Sequence, residues 1–178
     1  SPDEWTFAWD VSTNQWGPRK SGTFSMGADA TGGWDAVTFA LIGSKQVVGA
    51  SDGNLYELQA DTFTEGGAGI IREVTTPQFH RGGRRFFIRR LELDIEAGIG
   101  LTTGQGSDPI VMMSVSWDGG KTWSNPRNAG MGAIGQNKWR AYWYNCGSGR
   151  EAMFKFRTSD GIKTVFLGAW ADLTVGAH

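Results

Sequence analysis

A single cysteine, two histidines and the absence of any long apolar run set the first limits on this chain. Cys146 has no second thiol to meet, so an intrachain disulfide is excluded. That fits assembly in a reducing cytoplasm and argues against a secreted disulfide scaffold. The expected role of such a cysteine is a small buried side chain. His80 and His178 are too few to build a Cys/His zinc site, and they give no basis for a Cys–His dyad or a Ser–His–Asp triad. No apolar stretch approaches the roughly 20 residues of a membrane span, so no membrane partner is expected. Seventeen basic and eighteen acidic side chains leave a net charge of −1, which gives a polyanion no overall attraction. No long helical period is found. The chain opens SPDEW rather than with Met, and no signal peptide is expected. A fragment or processed product of something longer is therefore expected.

What is abundant is glycine, with 27 residues, and tryptophan, with nine. Many glycines among short aromatic runs describe an all-β protein with many tight turns. Period-2 patterns dominate. In VMMSVSW, Val111, Met113, Val115 and Trp117 share a face; in WRAYWY, Trp139, Ala141 and Trp143 do; in FKFRTS, Phe154 and Phe156 alternate with Lys155 and Arg157. KTVFLGAWADLTV reads as a long final strand, with a bulge expected at Gly168. Residues 129–138 are glycine-rich and read as a loop. Trp139, Trp143 and Trp170 are expected in the core or on a sheet face.

The N-terminal third has another texture. EWTFAWDV, STNQWGPRKSG, VTFALIG, QVVGAS and NLYELQ give short strands about ten residues apart, and Asp52-Gly53 signals a hairpin turn. Such strands resemble the last blade or blades of a β-propeller, which bury their faces against neighbouring blades. Gly66, Gly67 and Gly69 read as a linker. The expected division is residues 1–65, propeller-blade-like strands, and residues 66–178, an antiparallel, jelly-roll-like β-sandwich.

Two stretches carry candidate function. GKT at Gly120–Thr122 hints at a phosphate loop. However, a Walker loop needs glycine where Val115 stands in a strand, and no helix follows. The alternative is an aspartate-box hairpin made by Ser116, Asp118, Gly120, Thr122 and Trp123. Asp118 accepts backbone N–H groups across the turn, the glycines supply positive φ, and Trp123 folds back over it. That is a structural device and names no activity. The second stretch is RGGRRFFIRR, residues 81–90, followed by LELDIE. Arginines with phenylalanines can serve nucleic acid. A basic segment feeding an acidic strand can equally pair across a sheet or a subunit contact. Arg84, Arg85, Arg89 and Arg90 with Glu92, Asp94 and Glu96 are therefore the candidate interface. The three acids alternate along a strand, as a solvated face does. They lack the tyrosine and arginine cluster of a sialidase, so no catalytic residue, metal site or cofactor is assigned.

The order of phrases carries a resemblance. LYELQADTFTEGGAGIIREVTTP, FFIRRLELDIEAGIG, VMMSVSWDGGKTWSN and FKFRTSDGIKTVFLGAWADL resemble the C-terminal part of the tail-hub proteins of short-tailed bacteriophages, the packaged-DNA stabilisation or tail-accessory family. The similarity runs over roughly residues 5–178 and is densest from 55 to 172. It implies a virion protein without catalysis, assembled in the host cytoplasm as a homo-oligomeric ring. Such a ring closes the DNA-filled head beneath the portal and its adaptor ring, and offers surfaces to the tail needle and tailspikes. It implies proximity to DNA but no sequence-specific binding. Two other readings stay open: a carbohydrate-binding β-sandwich using exposed Trp or Tyr, and a sialidase-like hydrolase.

Overall fold

The computed structural model describes residues 6–12, 14–21 and 33–176. Among these there is no helix, and every strand pairing is antiparallel. His178 and the first residues of EWTFAWDV lie outside the described residues. The chain divides into two compact units, Ser1–Ile71 and Arg72–His178.

The first unit holds a hairpin of β1 (Thr6–Asp10) and β2 (Gln15–Arg19). A meander of β3 (Ala36–Ile42), β4 (Lys45–Ala50) and β5 (Leu55–Leu58) follows, then a small hairpin of β6 (Thr64–Glu65) and β7 (Ala68–Gly69). Asp52-Gly53 does form the β4–β5 turn: Asp52 accepts the Asn54 amide at 2.8 Å. The glycines expected as a linker have a different use. Gly66 (φ 54°) and Gly67 (φ 85°) are the two turn residues of the β6–β7 hairpin. A two-residue turn with both φ values positive matches the twist of the strands it joins, and glycine reaches it without strain.

The second unit is a β-sandwich. One sheet has the order β13 (Ala141–Gly149), β10 (Phe86–Ile95), β15 (Phe166–Val175). The other runs β12 (Arg127–Gly130), β11 (Ile110–Ser116), β14 (Glu151–Thr158), β8 (Arg72–Thr75), and β9 (Phe79–His80) also pairs with β14. Alternation fills the space between them. Phe86, Ile88, Leu91, Leu93 and Ile95 of β10 share one core with Val111, Met113 and Val115 of β11 and with Phe154 and Phe156 of β14. Fully burying a side chain of this size stabilises by about 1.5–3 kcal/mol, so these strands hold the unit together.

Three details refine the sequence reading. Trp139 does not join Ala141 and Trp143 on the inner face, because β13 begins only at Ala141. It is half-exposed and donates its indole N–H to the Gly130 carbonyl at 2.8 Å. The glycine-rich loop starts later than expected, since Ala129 and Gly130 complete β12. The irregularity in the last strand falls beside Gly168: Asp94 faces Gly168 but Ile95 faces Phe166, leaving Leu167 as the extra residue.

Candidate functional site

The connection between β11 and β12 folds around one carboxylate. Asp118 accepts the Thr122 amide on both oxygens (2.9 and 3.1 Å), the Thr122 hydroxyl at 2.6 Å and the Ser116 hydroxyl at 2.7 Å. The Ser116 oxygen in turn accepts the Gly120 amide at 2.9 Å. Gly119 and Gly120 have φ values of 73° and 91°, which a side chain would strain. Trp123 lies back towards Gly120, and the Lys155 ammonium sits 4.6 Å from its ring centre. Donors from Thr122, then from Ser116, hold the Asp118 carboxyl well below the ordinary carboxylate range. All of these bonds are local and all serve the turn.

The arginines and acids of β10 are distributed differently from the simplest expectation. They follow one another along a single strand, so they cannot pair across the sheet with each other. Arg84 and Arg85 lie in the loop before β10. Arg89 sits at a bulge: Ile88 faces Leu173 while Arg90 faces Asp172, leaving Arg89 as the extra residue against β15. The bulge puts two consecutive arginines outside and returns Leu91 to the core. Glu96 lies just beyond the strand and pairs with Lys163 at 2.8 Å. Of the seven candidates, Arg90, Glu92 and Asp94 are the ones that sit in register with β15 on the outer face of the β13–β10–β15 sheet.

On that face the register builds two complete rows. Tyr144, Arg90 and Asp172 lie side by side, as do Tyr142, Glu92 and Trp170. Arg90 pairs with Asp172 at 3.0 Å and approaches Glu92 at 3.9 Å. Arg140 bonds Glu92 and reaches Asp94 at 3.7 Å. The cations also meet the rings: Arg90 is 5.8 Å from the Tyr142 ring centre and Arg140 is 5.7 Å from that of Trp170. Tyr144 and Trp170 remain 57% and 53% exposed. Exposed ion pairs of this kind contribute only about 0–1 kcal/mol each, so the ladder orients a surface more than it stabilises one.

Trp170 lies on a sheet face, one of the two places expected for it; Arg140, Tyr142, Tyr144 and Asp172 are the residues that sequence reasoning missed on this face. The alternation in WRAYWY already separated Tyr142 and Tyr144 from Trp143. Nothing in the sequence stated which strand would lie beside β10.

Groups with reactive potential are scattered. Cys146 is buried in the sandwich core, and desolvation pushes its thiol up. His80 belongs to β9. The buried Asp160 carboxylate is engaged by the Ile110 amide at 2.8 Å. Among the described residues no three His, Cys, Asp or Glu side chains gather to hold a metal ion.

The sandwich unit also decides the family. The model described as Bacteriophage P22 Gp10, beta-sandwich, matches residues 71–174. The chain belongs to the bacteriophage P22 Gp10 β-sandwich family. The match covers more than half of the 178 residues and takes in every strand of the second unit, with only the end of β15 outside it. The β10 ladder and the Asp118 turn both lie within the matched residues. A search of curated proteins returned no match.

Proposed function

We propose that this chain is a structural component of a short-tailed phage virion, part of a tail hub or adaptor that closes the DNA-filled head and joins the portal to the tail needle and tailspikes. The observation that carries the reading is the Gp10-type sandwich over residues 71–174, with an outer sheet face of interleaved aromatic and paired charged residues. Aromatic and arginine side chains are the types enriched at protein interfaces, and prepaired charges fix orientation at little cost in stability. The Asp118 turn supplies rigidity at one edge. The strands of residues 1–65 act as propeller blades in this reading, and ring symmetry multiplies individually weak contacts. No catalytic role is assigned.

The test is assembly. Phage particles built with the Arg89→Glu, Arg90→Glu protein should lose infectivity and complete tails while the isolated chain keeps its β circular dichroism. Full particles at normal titre would show that these arginines are not interface residues.

One observation favours a second reading. Tyr142, Tyr144 and Trp170 stand exposed beside the carboxylates and guanidinium groups of the same sheet face, as sugar-stacking platforms do. Glycan-array binding lost on Trp170→Ala would establish it; silence across sugar classes removes it.

A further inference from the structure

Charge is segregated along this chain. Residues 1–71 carry nine acidic and three basic side chains, a net −6; residues 72–178 carry nine acidic and fourteen basic, a net +5, which together give the −1 of the whole.

In the sandwich the excess lies at one end. Arg81, Arg84 and Arg85 stand on the loop between β9 and β10, Arg89 on the adjacent bulge, and Arg150 on the turn between β13 and β14. The pairing of Phe86 with Gly149, extended by one residue, brings Arg85 opposite Arg150. All five are exposed. Two of them contact neutral groups: Arg81 lies 5.5 Å from the Phe79 ring centre and Arg85 donates to the Ser148 hydroxyl at 3.0 Å. None has an acidic partner among the described residues, in contrast to Arg90, Arg140 and Arg157, which are all ion-paired. This end is remote from the point where the chain enters the sandwich. Arg72 pairs with Thr158 and His80 with Glu151, at opposite ends of β14, roughly 23 Å apart at the usual rise of a strand.

In the first unit four of the nine acidic side chains, Asp35, Asp52, Glu57 and Glu65, border a cleft of about 790 Å³. Three of these carboxylates are held by neutral donors, which fix them without cancelling their charge. Glu65 accepts the Ser21 hydroxyl (2.9 Å) and the Trp34 indole N–H (3.0 Å), Asp52 accepts the Tyr56 hydroxyl (2.7 Å), and Asp35 accepts the Ser51 hydroxyl. Glu57 is already paired with Lys45 at 2.8 Å; among the described lining residues that leaves Arg19 as the one further cation against Asp35, Asp52 and Glu65, a net negative charge. Trp34 already carries one guanidinium, that of Arg19, 3.9 Å from its ring centre.

We propose that the arginine end of one sandwich docks into the acidic cleft of the first unit of a second copy of this chain. The contact is head to tail, and repeating it generates a closed ring or an open chain. It deepens the structural reading above by naming the surfaces that join the copies. The occupant follows from charge. A fixed acidic cleft lined with aromatics and a set of unneutralised arginines, both carried by every copy, are complementary to each other, and guanidinium groups suit both carboxylates and ring faces.

Sedimentation velocity of the full chain tests this. In low salt the mean mass should rise above the 19.3 kDa of one chain as concentration increases. It should return to one chain near ~0.5 M salt, where screening acts over a few ångströms. Arg84→Glu with Arg85→Glu should weaken self-association at least about tenfold, and Glu57→Lys with Glu65→Lys should do the same. Mixing these two oppositely reversed variants should restore it, which excludes misfolding as the cause. A chain that stays monomeric in low salt at every concentration overturns the proposal. So does self-association that neither salt nor these variants affect, although that result leaves a structural role in the virion standing. Binding of duplex DNA abolished by Arg84→Glu with Arg85→Glu, in a chain that never self-associates, overturns it in favour of a nucleic-acid contact.

Discussion

Replacing Ser116 by alanine removes one oxygen that is almost fully buried and joins two parts of a turn. That oxygen accepts the Gly120 amide and its hydrogen is donated to Asp118. The loss is therefore one neutral hydrogen bond and one to a charged group. At about 0.5–1.5 kcal/mol for the first and about 1.5–3 for the second, a cost near 2–4 kcal/mol is expected. For a unit of this size, 1 kcal/mol moves the melting temperature by roughly 4 °C or somewhat more. Ser116→Ala should thus melt about 8–16 °C below the parent, followed by tryptophan fluorescence or near-ultraviolet circular dichroism. Asp118 adds a pH signature. Its folded-state pKa is depressed, so its stabilising contribution is fully present above the unfolded-state value near pH 4 and is lost as pH falls towards the folded value. Asp118→Asn should therefore lower stability at neutral pH and flatten part of the loss seen on acidification. A Ser116→Ala variant within about 1 °C of the parent, or an acid profile unchanged in Asp118→Asn, would refute the claim that this turn is a rigid structural element.

Leu93 is 2% exposed at the centre of β10, and Leu93→Ala should cost about 2–5 kcal/mol in guanidinium unfolding. The Cys146 thiol is buried and its pKa is raised. Native protein should react with a thiol reagent only at the rate at which the sandwich opens, and denatured protein should react at once. Incubation with a fluorogenic sialoside should release no product above the buffer rate, and turnover abolished by replacing Glu92 or Asp94 would contradict the non-catalytic reading.

The core of the sandwich was legible because period-2 alternation needs no knowledge of neighbours. Leu91, Leu93 and Ile95, or Phe154 and Phe156, announce an inner face by themselves. The Asp118 turn was legible for a related reason: all its partners lie within a few residues of one another. The outer ladder was only half legible. Arg90, Glu92 and Asp94 could be placed on one side of a strand, but their pairing with Arg140 and Asp172 depends on strand order and register, which local pattern does not determine. The bulge at Arg89 is likewise set by both neighbouring strands, so Arg84, Arg85, Arg89 and Arg90 looked like one block when they occupy two places. Gly66 and Gly67 were misleading because two adjacent glycines suit a flexible connection and a tight hairpin turn equally well.

The central claim is that the outer face of the β13–β10–β15 sheet is a docking surface in an assembled particle. Hydroxyl-radical footprinting of Tyr142, Tyr144 and Trp170, in the free chain and in intact virions, tests it most directly. The three rings should label readily in the free chain and be protected in the particle. Equal labelling in both states, in particles that demonstrably contain the protein, would contradict the account.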